Sequence, residues 1–365
     1  MYVFFAGGLG IEFDKDSPVS PELLEYRLLS YHYMNQSLSE SYFREYRDRY
    51  RMIIMDSGAF SAWNAGSKII LDDYISYLKD YIDEIDYVVN LDVIPGVPGL
   101  KRIPIEEVER SAAKGYDNYN YMLSKGIPED KIIHVFHQNE DFKWLQRMLD
   151  DKMTYIGISP ANDRTTKEKI MWLDRCMEYV CDDKGYPTVK FHGFAVTSLR
   201  LMLRYPWYSV DSSTWAMRAG RGEVMIPVKK DGKWDFSQPP LDFRFSNVVL
   251  KKTHYTLVTG YMKELIDEYL EQLHIPLGRS EFIQVDSSHK LAKNERICSK
   301  NYVRNLKLPA PEPGKKWVEV VLERGIVNDW RYRQLLNIYF LRNFAQSKKE
   351  PARFVDMVKP SLGLL

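Results

Sequence analysis

The chain has 365 residues, 45% hydrophobic and 28% charged, with a formal net charge of +1. This is ordinary globular composition with enough length for a sizeable core, and no apolar run reaches the length of a membrane span. Three cysteines, Cys176, Cys181 and Cys298, are too few and too scattered for a secreted disulfide framework.

The first residues, Met1-Tyr2-Val3-Phe4-Phe5-Ala6-Gly7-Gly8, lack the basic start and long apolar stretch of a signal peptide. They read as a buried first strand, and a cytoplasmic protein is expected. Further candidate strands are Met52–Met55, Tyr87–Leu91, Ile132–Phe136, Thr154–Ile158, Thr188–Phe194 and Trp207–Val210. Between them, Pro21–Tyr33, Leu71–Ile82, Ile105–Leu123, Phe142–Leu149 and Lys167–Val180 show helical apolar spacing. Seven or so strand–helix units predict an α/β protein, a closed (β/α)8 TIM-type barrel, with an open doubly wound sheet as the alternative.

After Asp211 the rhythm breaks. Residues 214–250 are rich in Gly and Pro and read as an insertion after the seventh strand, with Glu223–Lys229 and Trp234–Phe236 as a hairpin. A helix is predicted at Thr256–Leu273, then a basic stretch at Lys290–Lys307. The barrel with its insertion is expected to occupy 1–308. The Pro-rich segment Pro309-Ala310-Pro311-Glu312-Pro313-Gly314 reads as a linker to a C-terminal helical extension over 309–365, its last helix near Asp329–Phe344. Acidic residues dominate the first hundred positions and basic ones dominate beyond about residue 200, a hint of a polyanionic partner for the later part.

The strand ends carry the chemistry. Asp56, Asp92, Gln138, Gly193 and Asp211 directly follow or close apolar strands. In a (β/α) barrel those positions face the catalytic mouth, and burying a carboxylate there without purpose costs several kcal/mol. One such residue alone could be a helix cap. Three carboxylates and a carboxamide at successive strand ends point to a site.

The ordered set Asp56-Ser57-Gly58-Ala59-Phe60, Asn90-Leu91-Asp92, His137-Gln138, Gly193-Phe194-Ala195-Val196 and Asp211 resembles the tRNA-guanine transglycosylase superfamily over roughly residues 50–225. Those enzymes are barrels that replace guanine with a 7-deazaguanine. The resemblance implies that Asp211 is the nucleophile holding the sugar, and that Asp56 is the general acid/base. It implies that Asp92 accepts hydrogen bonds from guanine's N1–H and amino group, and that Gln138 and the backbone at Gly193 approach O6. It also implies that Ser57 and Phe194 line the base pocket and that Phe60 stacks on the base, although Phe60 could instead pack in the core. No cofactor is implied.

The chain departs from the tRNA enzymes in lacking their closely spaced zinc cysteines, so no metal is expected. In that respect it is more similar to the DNA 7-deazaguanine transglycosylases, which install a base such as 7-cyano-7-deazaguanine. Guanine in DNA would then be flipped out to reach Asp211. Arg218, Arg221, Lys229, Lys230, Lys293 and Arg296 are candidates for phosphate contacts, with Trp215 or Trp234 filling the gap in the stack. The expected partners are DNA, with tRNA as the alternative, a free 7-deazaguanine base and a second copy in a homodimer, with no membrane. A zinc-less tRNA enzyme, a non-catalytic nucleic-acid-binding paralogue and a small-molecule glycosidase remain open.

Overall fold

Eight parallel strands close into a barrel in a computed structural model that describes residues 1–7, 10–34, 36–97, 103–246, 253–347 and 353–354. The strands are β1 (Tyr2–Ala6), β2 (Tyr26–Ser30), β3 (Met52–Asp56), β4 (Tyr87–Val89), β5 (Ile132–His137), β6 (Tyr155–Ser159), β7 (Lys190–Gly193) and β8 (Ser209–Ser212). Each pairs with the next in sequence, and β8 returns to β1 with Tyr2 opposite Ser209. Helices α1 (Gln36–Tyr46), α2 (Ala59–Asn64), α3 (Leu71–Tyr81), α4 (Ile105–Ser124), α5 (Phe142–Asp150), α6 (Thr166–Val180) and α7 (Leu199–Arg204) connect them. The (β/α)8 TIM-type barrel expected from the sequence is therefore the fold.

Strand alternation divides the side chains into two layers. Phe4, Leu28, Ile54, Val89, Ile133, Val135 and Tyr155 fill the interior. The neighbours in sequence, such as Val3, Leu29, Ile53 and Val88, are equally buried, under the helices. At the N-terminal ends of the strands the barrel is floored by tyrosines. Tyr2 lies 4.8 Å from Tyr26 and 5.2 Å from Tyr208, and Tyr155 lies 4.9 Å from Tyr87 and 5.4 Å from Tyr208, between ring centroids. The Lys190 ammonium sits 5.0 Å from the Tyr208 ring and 5.8 Å from that of Tyr87.

One barrel strand lay hidden in the sequence. Pro21–Tyr33 was expected as a helix, but it forms a 3-10 turn at Pro21–Leu24, then β2, then a second turn at Tyr31–Tyr33. Leu24 and Leu28 carry the helical spacing. Leu28 and Leu29 are both buried because a barrel strand is covered on two faces, which a helical stripe imitates. With β2 counted, residues 214–250 follow the eighth strand; 247–250 lie outside the described residues.

The chain divides into two units, and the division falls after Ser213 instead of at the Pro-rich segment. Of the described residues, the barrel unit takes those within Met1–Leu9, Leu24–Ser213 and Lys348–Leu365; the second takes those within Gly10–Leu23 and Thr214–Ser347. Of the expected C-terminal extension, 348–352 and 355–365 lie outside the described residues. The second unit holds α8 (Thr214–Gly220), β9 (Glu223–Ile226), β10 (Val228–Lys230), β11 (Lys233–Asp235), β12 (Leu241–Arg244), α9 (Tyr261–Gln272), β13 (Arg279–Asp286), β14 (Glu295–Ile297), α10 (Lys300–Asn305), β15 (Lys315–Glu323) and α11 (Trp330–Ser347).

Four local expectations change there. Pro227 has no N–H and interrupts the expected long hairpin strand, so β9 pairs with β12 while β10 pairs with β11. The helix expected at Thr256–Leu273 begins only at Tyr261, because Gly260 adopts φ +59°, ψ −146°, which side chains avoid. The Pro-rich segment is no linker between domains. It leads into β15, the central strand of the sheet β13-β15-β14, and is tied down where Glu312 N–H donates to Gln284 Oε1 at 2.8 Å and Trp317 Nε1 donates to Pro309 O at 2.9 Å. Helix α11 is likewise core and not an appendage. Asn337 is fully buried, donates to the carbonyls of Trp215 and Glu223, and accepts from Met225 N–H at 2.8 Å.

Candidate active site

The residues singled out at strand ends meet at the C-terminal mouth of the barrel. Asp56 closes β3, with Ser30 opposite it on β2. The chain then turns sharply through Gly58, at φ +80°, into α2. A Cβ on Gly58 would lie 2.5 Å from that of His32 and 2.9 Å from the Ser30 hydroxyl oxygen, so only glycine fits. This turn returns the Gly58 N–H to Asp56 Oδ2 at 3.0 Å, and Ser57 Oγ, fully buried, accepts from Ala59 N–H.

Burial pushes the Asp56 carboxyl up to about 7, and the negative charges of Asp92 and then Asp211 push the same way. The Gly58 N–H and the Ser30 hydroxyl oppose them and are outweighed. Asp56 is thus poised to carry a proton near neutrality. Burial is the largest cause of that shift, and Asp92 and Asp211 are near enough to add to it.

Asp92 lies just past β4, whose end is anchored by the fully buried Asn90. The Asn90 amide donates to Gly115 O and to His134 Nδ1, each at 2.8 Å. His134 faces the helix layer, and burial drives its ring well down, to about 3, so it stays neutral. His137, three residues on, faces the other way, as the odd spacing of the two histidines predicts. Its Nε2 lies 2.8 Å from Asp92 Oδ2 and its Nδ1 lies 2.8 Å from Glu140 Oε1. Burial alone would discharge this ring, but Glu140 and Asp92 together raise it to about 10. His137 is therefore an imidazolium clamped between the Asp92 and Glu140 side chains.

His137→Ala strands two carboxylates whose side chains are only 15% and 7% exposed. We expect a loss of roughly 3–5 kcal/mol, measured by denaturant unfolding. The folded-state value lies above the ordinary 6.5, so this contribution is whole below about 6.5 and drains away as pH rises through about 10. The unfolding midpoint of the wild type should therefore fall across that range, and that of the variant should not follow it. Parallel curves would refute the clamp.

Asp211, on β8, is 8% exposed and accepts Ala195 N–H at 2.7 Å on Oδ1, with His192 Nε2 3.3 Å from the same oxygen. Ala195 is held at φ +51°, which aims its N–H back at the carboxylate. Gln138 spends its side-chain oxygen on Ala161 N–H at 3.0 Å, leaving its NH2 as the donor end. Gly193 is glycine for a different reason than base approach. A Cβ there would lie 2.7 Å from the Val196 side chain and 2.9 Å from the Trp207 ring. Phe194 turns inward and lays its ring over Gly157, with His192 4.5 Å away edge-on. Phe60 is half-exposed and stacked on Trp63 at 6.0 Å, which removes the core-packing alternative.

The basic candidates all belong to the second unit, and most are already paired. Arg218 meets Asp242 at 2.6 Å and Glu223 at 3.5 Å; Lys229 meets Glu268; Lys293 meets Asp16 at 3.3 Å. Such surface pairs are worth about 0–1 kcal/mol and can yield to a phosphate. Arg296 is committed, because its partner Glu319, 2.8 Å away, is fully buried. Arg221 and Lys230 are exposed. Trp215 is fully buried and cannot serve as a wedge; Trp234 packs edge-on against Tyr269 and donates to Gln272.

Sequence reasoning quoted His137 only as the neighbour of Gln138 and gave it no role, and it missed Glu140 and His192 as parts of the site. The signal was present only as parity along β5 and β7, which places His137 and His192 on the faces occupied by Val135 and Lys190. Among the described residues no helix is long and apolar enough to cross a membrane. A scan against models of known protein families finds no match, and a search of curated proteins finds none.

Proposed function

We propose that the chain is a transglycosylase that exchanges guanine in DNA for a 7-deazaguanine base through a covalent glycosyl-aspartate intermediate. The observation that carries this reading is the carboxylate pair itself. Asp56 is lifted to about 7, and Asp211, within the same barrel mouth, is held among the described residues through Oδ1 alone. Two carboxyl groups in unequal surroundings are what retention at an anomeric carbon requires.

In the first half-reaction an Asp211 oxygen attacks C1′ while the C1′–N9 bond breaks. The electron pair leaves with guanine, which takes the Asp56 proton. In the second, the incoming base gives its N9 proton to Asp56 and attacks C1′, breaking the ester to Asp211. Atoms and protons balance, and Asp56 ends protonated as it began. Asp92, hydrogen-bonded to His137 through one oxygen, turns a carboxylate to the mouth and so favours a base with adjacent N–H and amino donors. The Gln138 NH2 supplies a donor for a carbonyl, and the Phe60–Trp63 pair offers a flat apolar face.

DNA is preferred to tRNA as the polymer because the chain lacks the cysteine set of the tRNA enzymes that it resembles. The test is incubation of the purified protein with guanine-labelled duplex DNA or with labelled tRNA, each with a free 7-deazaguanine. Label release from DNA is expected. Release from tRNA alone would move the reading to that polymer, and release from neither would end it.

A further inference from the structure

Deeper in the barrel, below the carboxylates, lies a line of polar side chains that the reaction above does not use. Tyr155 opens β6, His192 sits mid-β7 opposite Ser209, and Ser209 opens β8 two residues before Asp211. All three of Tyr155, His192 and Ser209 are at most 1% exposed. The Tyr155 hydroxyl meets Ser209 Oγ, Ser209 Oγ meets His192 Nδ1, and His192 Nε2 meets Asp211 Oδ1. Four polar groups on three adjacent strands thus run in one dry file that ends on the nucleophile.

We propose that His192 is the positioning residue of Asp211, held by Ser209 and Tyr155 in its Nε2–H form so that Oδ1 is clamped and Oδ2 is the attacking oxygen. The proposal rests on the transglycosylase reading for what Asp211 attacks.

The direction of the file follows from proton counting. The Tyr155 and Ser209 hydroxyls each have one proton to give, and a neutral imidazole has one N–H. If Tyr155 donates to Ser209, then Ser209 donates to Nδ1, the ring proton stands on Nε2, and it points at the Asp211 carboxylate. If the file ran the other way, Nδ1–H would donate to Ser209, and the bare Nε2 lone pair would face a carboxylate oxygen. The second arrangement sets two acceptors against each other in a buried site, so the carboxylate selects the first. Burial pushes the Tyr155 hydroxyl well up, which keeps it a donor.

At the far end, the Ala195 N–H and His192 both fall on Oδ1; among the described residues Oδ2 carries no hydrogen bond. The Asp211 side chain is 12% exposed, so solvent or substrate reaches it although His192 beneath it is sealed. A carboxylate gripped by one oxygen cannot rotate freely, and fixed orientation is worth large factors in rate.

A packing role is the rival explanation, since the His192 ring also stands edge-on to Phe4 and Phe194. Packing needs the ring but not the tautomer. Ser209→Ala and Tyr155→Phe keep the shapes and remove only hydroxyls, and His192→Gln identifies the His192 signals by their loss. On 15N-histidine-labelled full-length protein, long-range proton–nitrogen spectra should show His192 with Nε2 protonated and Nδ1 bare. Ser209→Ala should mix the two forms. In single-turnover assays Ser209→Ala should slow guanine release roughly 10- to 100-fold, with the KM for the incoming base changed less than about twofold. Tyr155→Phe should give a smaller loss of the same kind.

An Nδ1–H form in the wild type overturns the proposal. So do wild-type rates in both hydroxyl deletions. The spectrum needs no substrate, so a wild type that exchanges no base on either polymer defeats the reaction and leaves the hydrogen-bond file to be decided on its own.

Discussion

Asp211→Asn is expected to abolish covalent capture of DNA and to lower turnover by a factor on the order of 10⁴ or more. An amide oxygen is a poor nucleophile and a glycosyl amide would not turn over. The substitution spares the fold, because the Asn oxygen can accept from Ala195 N–H and from His192 as Oδ1 does now. The unfolding midpoint should stay within roughly 1 kcal/mol of the wild type, since volume is conserved and no donor is orphaned. The adduct is read as a slow-migrating band on a denaturing gel after incubation with DNA and no incoming base. A band that persists in the variant would mean that another group takes the sugar.

The second large effect pulls activity and stability apart. Asp56→Asn removes the proton carrier, so turnover should fall roughly 10²- to 10⁴-fold. The same change should make the protein more stable at pH 8. In the folded state this carboxyl sits at about 7 against an ordinary 3.8, so folding favours its neutral form. Stability from that source is whole below about 3.8 and is lost as pH rises through about 7, above which a buried anion must be carried. Asn is neutral at every pH and escapes that cost. The gain at pH 8 should be roughly 2–4 kcal/mol and should vanish near pH 4. Equal stability of the two proteins at both values would show that Asp56 is not strained. A destabilised variant at pH 8 would show that its charge is needed for folding.

The readable part of the site was the part written along the chain. Asp56, Asp92 and Asp211 each follow a run of β-branched or apolar residues, and a carboxylate in that place is conspicuous without any knowledge of neighbours. The helices from Leu71 to Val180 were legible for the same reason, through apolar spacing that matches α3, α4, α5 and α6 nearly end to end. What escaped depends on strand register. His192 becomes meaningful only when β7 lies beside β8 with Ser209 opposite it, and His137 only when Asp92 and Glu140 reach it from two separate loops. β2 escaped because burial on both faces of a barrel strand erases the alternation that marks a strand. The proline run at 309–314 misled in the opposite sense, since residues that cannot pair also mark the short approach to a strand that does. The basic residues were legible as charges but not as partners, and Arg296 turned out to neutralise a buried Glu319.

The tyrosine floor bears on the order of events. Rings from β1, β2, β4 and β6, with Tyr208 just before β8, stopper the N-terminal end of the barrel, and the Lys190 ammonium lies against two of them. A pocket with a stoppered end has a front door and no back door. On the proposed exchange, the departing base leaves by the opening through which its replacement arrives, with the polymer still tethered to Asp211. On that reading one proton carrier, Asp56, serves both bases, so exit precedes entry. A departed guanine that lingers then competes for the same doorway, and the forward direction is set by which base is scarcer outside.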